Sequence, residues 1–238
     1  MQTGLYVALS SQVALEKRLA TLADNVANAG TAGFRATSVN FKDIVNGLGP
    51  ESVSFAAPGN ASVDTRNGGL RETKSPFDFA VQGDAWFAID TPAGTVVTRD
   101  GRFSIRETGE LVTVEGYPVL DAGGAPLLLD PLAGPPEASA DGSLRQNGRL
   151  IGAIGLYSFT PSQDYARFGN SGFVATDAQP VIDQPDVGVA QGFIEESNVN
   201  AVHEMMNLIQ VQRTFEQVTA LMSDSDTALK DAIKLLGA

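Results

Sequence analysis

Leu208-Ile209-Gln210-Val211-Gln212-Arg213-Thr214-Phe215-Glu216-Gln217-Val218-Thr219-Ala220-Leu221-Met222 carries apolar side chains at alternating steps of three and four residues. Leu208, Phe215 and Met222 stand seven apart, and Val211 and Val218 follow three behind the first two. The series reaches back to Ala201 and forward through Leu229 to Leu236, with Ser225 and Ala232 on the second register. This is the a/d pattern of a helix with one apolar seam, and it predicts a helix of about 35 residues, on the order of 50 Å long. The asparagines at 198 and 200 supply side chains that cap its start.

The N-terminal end repeats the pattern. Leu5, Gln12, Leu19 and Val26 take the a positions, and Ala8, Leu15, Leu22 and Ala29 the d positions. Gly30 and Gly33 stop this helix, which is expected over residues 4–29. Pairing of the two terminal stripes covers one seam on each helix. Leu9, Val13, Met205 and Ile233 lie outside the a/d sets and widen the apolar surface. A bare two-helix hairpin leaves part of that surface wet, which favours packing among neighbouring copies.

Between the helices the pattern changes. Residues 47–69 are rich in Gly, Pro, Ser, Asn and Ala and read as linker or irregular chain that admits extended stretches such as Ser52–Phe55. From Phe77 to about Val189, short apolar runs alternate with turn signals at Gly83-Asp84, Asp100-Gly101, Thr108-Gly109, Gly123-Gly124, Asp141-Gly142 and Asn147-Gly148. Asp100-Gly101 is read as a hairpin turn between Val96–Thr98 and Phe103–Ile105. The expected fold is α+β: N- and C-terminal helices forming a coiled-coil module, with an inserted all-β domain of sandwich or barrel type. The expected boundaries are 1–33 with 198–238 for the helical module, 34–76 with 190–197 for an extended connecting region, and 77–189 for the β domain.

Composition narrows the function. The 238 residues include no cysteine and one histidine, His203. Disulfides, thiolate catalysis and Cys- or multi-His metal sites are excluded. The net charge of −12, concentrated in the middle of the chain, argues against nucleic acid or an anionic membrane as partner. No apolar run is long enough to span a bilayer, so membrane insertion is not expected. The Met1–Tyr6 start has no basic region and does not read as a cleavable secretory signal.

No constellation of residues reads as an active site, and no catalytic, cofactor-binding or metal residues are expected. Asp224 and Asp226 have the spacing of the start of a calcium loop, but its later glycine and glutamate are missing. No phosphate-cradling glycine motif is present. Trp86-Phe87 admits a carbohydrate platform, but the apolar neighbours Val81, Ala85 and Ile89 favour a strand core.

Three blocks carry a resemblance. Leu22-Ala23-Asp24-Asn25-Val26-Ala27-Asn28-Ala29-Gly30-Thr31-Ala32-Gly33-Phe34-Arg35 resembles the N-terminal motif of the bacterial flagellar rod and hook proteins, with Asn25, Asn28, Thr31, Gly33 and Phe34 at its marked positions. Glu196-Ser197-Asn198-Val199-Asn200, followed by Glu204-Met205-Met206 and Gln212-Arg213, is similar to the C-terminal signature of the same family, with Ser197, Asn198 and Val199 at its marked positions. Gly69–Thr73, Phe77–Asp90, Thr98–Phe103 and Gly116–Leu120 resemble the rod members in particular. Chain length and the Met-Gln-Thr-Gly-Leu-Tyr start are most like the proximal-rod branch. Gly30 and Ala32 stand where the family often has Asn and Pro, a difference confined to the helix-ending turn.

The resemblance implies a non-enzymatic structural subunit of the flagellar basal-body rod, located in the periplasm. It implies export through the flagellar type III apparatus and head-to-tail stacking with itself and other rod proteins into a torque-transmitting shaft. The residues expected to carry assembly are Leu5, Leu15, Leu19, Leu22, Val26, Leu208, Val211, Phe215, Val218, Met222, Leu229 and Leu236. A distal rod or hook-type subunit of the same family, and an oligomeric β-domain binding module, are the alternatives.

Overall fold

The computed structural model describes residues 2–46, 53–161, 166–175, 177–182 and 184–236. The elements in chain order are α1 (Gln2–Ala27), β1 (Thr37–Asn46), β2 (Val53–Val63), β3 (Leu70–Glu72), β4 (Phe79–Gln82), β5 (Trp86–Thr91), β6 (Gly94–Thr98), β7 (Phe103–Ile105), β8 (Leu111–Thr113), β9 (Glu137–Ala138), β10 (Ser143–Gln146), β11 (Arg149–Ala153), β12 (Leu156–Ser158), β13 (Arg167–Phe168), β14 (Gly172–Val174), β15 (Gln179–Pro180), β16 (Gly188–Gln191), β17 (Phe193–Glu195) and α2 (Ala201–Leu236). Two terminal helices bracket a β-rich middle, an α+β chain with an inserted β domain. The chain divides into two units: Met1–Ala27, Thr37–Val63 and Asn200–Ala238 form one, and Asn28–Ala36 with Asp64–Val199 form the other.

In the helical unit, α1 and α2 run in opposite directions. Asn25 Nδ2 reaches Glu204 Oε2 (3.3 Å) near one end of the pair, and Gln12 Nε2 reaches Thr219 Oγ1 (3.4 Å) near the other. Asn200 caps α2: its Oδ1 accepts from the His203 amide (3.1 Å), and its carbonyl accepts from the Glu204 amide (2.9 Å). The unit also holds the antiparallel hairpin β1–β2, which packs on α1. Within residues 34–76, read as connecting chain, Thr37–Asn46 and Val53–Val63 thus form a paired hairpin; Val53–Phe55 falls in the stretch expected to be extended, and residues 47–52 lie outside the described residues. Alternating polar and apolar residues in Thr37–Asn46 suit a strand, but the Gly, Pro and Asn of Val53–Val63 mask its partner's signal.

The β unit is built on a six-stranded antiparallel sheet in the order β13-β14-β6-β5-β12-β15. One face carries Phe87, Ile89 and Val96 into the main core, where they join Phe79, Val81, Phe103, Leu111, Val119, Leu144 and Val189. The other face carries Trp86, Ala88, Val97 and Phe173, all buried, as the two-residue alternation of strands requires. The chain closes on itself late: β16 pairs with β4 (Gln191 opposite Phe79) and β17 with β3 (Glu195 opposite Leu70).

Most turn signals mark real turns. Asn147 and Gly148 hold φ of +50° and +73° between β10 and β11, as a tight hairpin requires. Asp100-Gly101 does not join a hairpin, however. β6 pairs with β5 and β14, and β7 with β8, so this turn carries the chain from one sheet to another. Gly101 is needed there because a side chain would run into the Phe79 carbonyl oxygen, 1.7 Å from its Cβ position.

Candidate functional site: the helix seam and the motif cluster

The helices α1 and α2 pack on each other, and of the a/d residues Leu19, Leu208 and Phe215 line one groove between them. Leu22 and Val211 are buried, and Leu15, Leu19, Val26, Leu208, Phe215, Val218 and Met222 are half-buried. The side chains of Leu5, Leu229 and Leu236 lie outside the described residues. Closure of the seam is incomplete. A groove of about 600 Å³ remains between the helices, floored by Leu19, Ala20, Ala23, Leu208 and Phe215 and rimmed by Glu16 and Glu216.

A second apolar set faces away from the seam. Tyr6, Leu9 and Val13 on α1, and Val202, Met205, Met206, Ile209 and Leu221 on α2, are 45–67 % exposed. Of these, sequence reasoning marked Leu9, Val13 and Met205 as off the seam. It missed Val202, Met206, Ile209 and Leu221, although all four fall outside the a/d register of the same helix.

The motif residues are explained by their hydrogen bonds. Asn25 is buried, and its side-chain amide pairs with the main chain of Thr37 in both directions: Oδ1 accepts from Thr37 N (2.9 Å) and Nδ2 donates to Thr37 O (2.8 Å). The first residue of β1 is thereby fixed to the last turns of α1. In the β unit, the Asn28 carbonyl accepts from the Thr31 amide (3.1 Å), closing the turn that follows α1. Gly33 has φ +68° and packs against the Arg99–Asp100 main chain, where a Cβ would sit 2.4 Å from Arg99 C and Asp100 N. Phe34 is buried, with the Arg167 guanidinium 4.6 Å above its ring.

Asn198 ties three segments. Its Oδ1 accepts from Ala36 N (2.7 Å), and its Nδ2 donates to the carbonyls of Asp64 (3.0 Å) and Arg66 (2.9 Å). Ser197 Oγ accepts from the Val199 amide (3.3 Å) and sets the turn before α2. Ser197 and Val199 also line a cleft of about 230 Å³ with Ala32, Arg71, Arg102 and Ile194.

Sequence reasoning missed the charged centre of this cluster. Glu195 is 1 % exposed and sits between two buried arginines: Arg35 Nη2 lies 2.6 Å from Oε1, and Arg99 Nη1 lies 3.0 Å from Oε2. The Gly68 amide also donates to Oε1 (2.8 Å). Arg35 Nη2 donates further to Asn67 Oδ1 (3.0 Å), and Arg99 Nη2 to the Gly83 carbonyl (2.8 Å). Both guanidinium groups lie over the Trp86 ring, at 5.6 and 5.1 Å from its centroid. Burial pulls the Arg99 guanidinium below its ordinary value, and the Glu195 charge pulls the other way. Trp86 is core, as its apolar neighbours suggested: its Nε1 donates to the Phe159 carbonyl (3.0 Å) and its ring stands edge-on to Phe159 and Phe173. Arg35 closes the N-terminal motif, but nothing in the sequence separates Glu195 from the exposed Glu196 beside it.

Three family models match the chain in order. They are the flagella basal body rod protein model over residues 5–35, the flagellar hook protein FlgE/F/G D1 domain over 80–152, and the flagellar basal body rod FlgEFG protein C-terminal model over 190–235. The chain is 63 % identical to the flagellar basal-body rod protein FlgF of Mesorhizobium japonicum, over 100 % of this chain and 99 % of that one. It is 56 % identical to FlgF of Rhizobium meliloti over the same shares. Its identity to the rod protein FlgG of Bacillus subtilis is 28 %, over 99 % of both chains. The chain belongs to the flagellar basal-body rod protein family and, within it, is most like the FlgF proteins.

Proposed function

We propose that this structural rod subunit adds to its neighbours through the apolar faces of its terminal helices, building the shaft head-to-tail. The observation that carries the reading is the doubled apolar surface of the helix pair. The helices α1 and α2 pack on each other inside one chain, yet Tyr6, Leu9, Val13, Met205, Met206 and Ile209 remain exposed. Each such side chain contributes roughly 1.5–3 kcal/mol when fully buried. A patch used only within one subunit has no reason to stay apolar on its outer side. A contact joining different surfaces of successive copies does not close on itself, so it extends into a filament.

The a/d residues hold the helix pair together and, through the groove at Leu19, Leu208 and Phe215, offer neighbouring axial subunits a second contact. Other rod proteins and the flagellar type III export apparatus are the partners that family membership supports, and torque transmission is the role. The chemistry is that of a structural protein rather than an enzyme.

The test is complementation of a deletion strain with Ile209→Asp. Loss of swimming, and absence of the variant from purified basal bodies while the purified subunit keeps its native circular dichroism, supports the reading. Normal swimming with Ile209→Asp sinks it, and a soluble oligomer of fixed size would point instead to a binding module.

A further inference from the structure

We propose that Arg35, Glu195, Arg99 and Trp86 form a latch that opens separately from the main core of the β unit and closes only when β17 is in place. The latch lies on the face of the six-stranded sheet that bears Trp86, Val97 and Phe173, whereas Phe87, Ile89, Val96 and the rest of the main core lie on the other. The segments it holds are also remote in sequence and tied chiefly to one another. Glu195 takes Arg35 and the Gly68 amide with its side chain, and the Gly33 amide (2.8 Å) with its carbonyl. Asn198 takes Ala36, Asp64 and Arg66, and its own amide donates to the Phe34 carbonyl (3.3 Å). Arg167 donates to the Arg35 carbonyl.

The electrostatics make the latch conditional. Arg35 and Arg99 are 0 and 2 % exposed, so two guanidinium groups are held out of water side by side. Glu195 is the anion that both contact, and the Trp86 face is the other attractive surface. Removing one member of a buried ionic group leaves its partners uncompensated, which is far more damaging than replacing the whole group by apolar side chains. Until residue 195 arrives, burying either guanidinium is unfavourable, so residues 28–36 and 64–69 stay unlocked. A chain that emerges from its N-terminus therefore keeps the segment that follows α1 free until nearly the whole β unit is available. Glu195 then fixes Gly33, Arg35 and Gly68 beside β17 in one step.

Hydrogen exchange on the full chain tests the device. In the wild type, under mild urea, the amides of Gly33, Ala36, Gly68 and Asn198 should exchange through a smaller opening than those of Phe103, Leu111, Val119 and Leu127. One shared opening for both sets overturns the proposal. In Glu195→Gln, the first set should exchange roughly a hundredfold faster or more, with Trp86 emission shifted to the red and the second set protected. Trp86 is the only tryptophan, so the emission reports this site alone. Unchanged exchange, or loss of protection in both sets together, overturns it. The triple replacement Arg35→Met, Glu195→Met and Arg99→Met should restore protection to the first set; failure to do so means that the charges are not what closes it.

Discussion

Gly33 combines a left-handed φ of +68° with main-chain packing that leaves no room for a methyl group. Gly33→Ala therefore meets both strain and collision, and should destabilise the β unit by about 2 kcal/mol or more, read as a lowered urea midpoint. At the same scale, two carboxyls link stability to pH. Arg66 holds the Asp64 carboxyl below its ordinary 3.8, and hydrogen bonds from Ser143 do the same for Asp141. A carboxyl depressed in the folded state contributes stability above its unfolded value and loses it as pH falls through the folded one. The urea midpoint should therefore decline below about pH 4, and Arg66→Ala should make the decline shallower. The Asp64–Arg66 pair is largely solvent-exposed, so its share is small.

At the scale of elements, the two helices were legible because seven-residue spacing is written into their side chains, and Leu19, Leu208 and Phe215 from those sets line one groove. The β1–β2 hairpin was not, because Pro58 and Gly59 sit inside β2, opposite the register break between Val39 and Phe41. Asp100-Gly101 misled for a related reason. An Asp-Gly pair reports a tight change of direction, whereas strand pairing is decided by contacts distant in sequence, here β6 with β5 and β14. The motif asparagines were recognisable as letters, but their work of bridging main-chain groups appears only in three dimensions. The seam and the outer stripe should separate on mutation. Leu22→Ala removes a buried contact and should cost about 2–5 kcal/mol of helical-unit stability. Met206→Asp, at a position 60 % exposed, should leave the unfolding free energy within about 0.5 kcal/mol of wild type.

For the whole molecule, the division of labour follows from where polar and apolar groups are left over. The β unit buries its main core on one face of the six-stranded sheet and holds its charged cluster on the other. The helical unit ends with apolar side chains in solvent. On the proposed reading, the net charge of −12 opposes association of the 238-residue chain until a neighbour covers those side chains. The absence of cysteine makes the central claim directly measurable. A single Met206→Cys subunit, retaining motility, would be treated with a maleimide as free protein and in purified basal bodies. The account predicts rapid labelling of the free subunit and protection in the basal body, with full labelling recovered on denaturation. Equal labelling in both states would show that the outer stripe is not an assembly surface and would contradict the account.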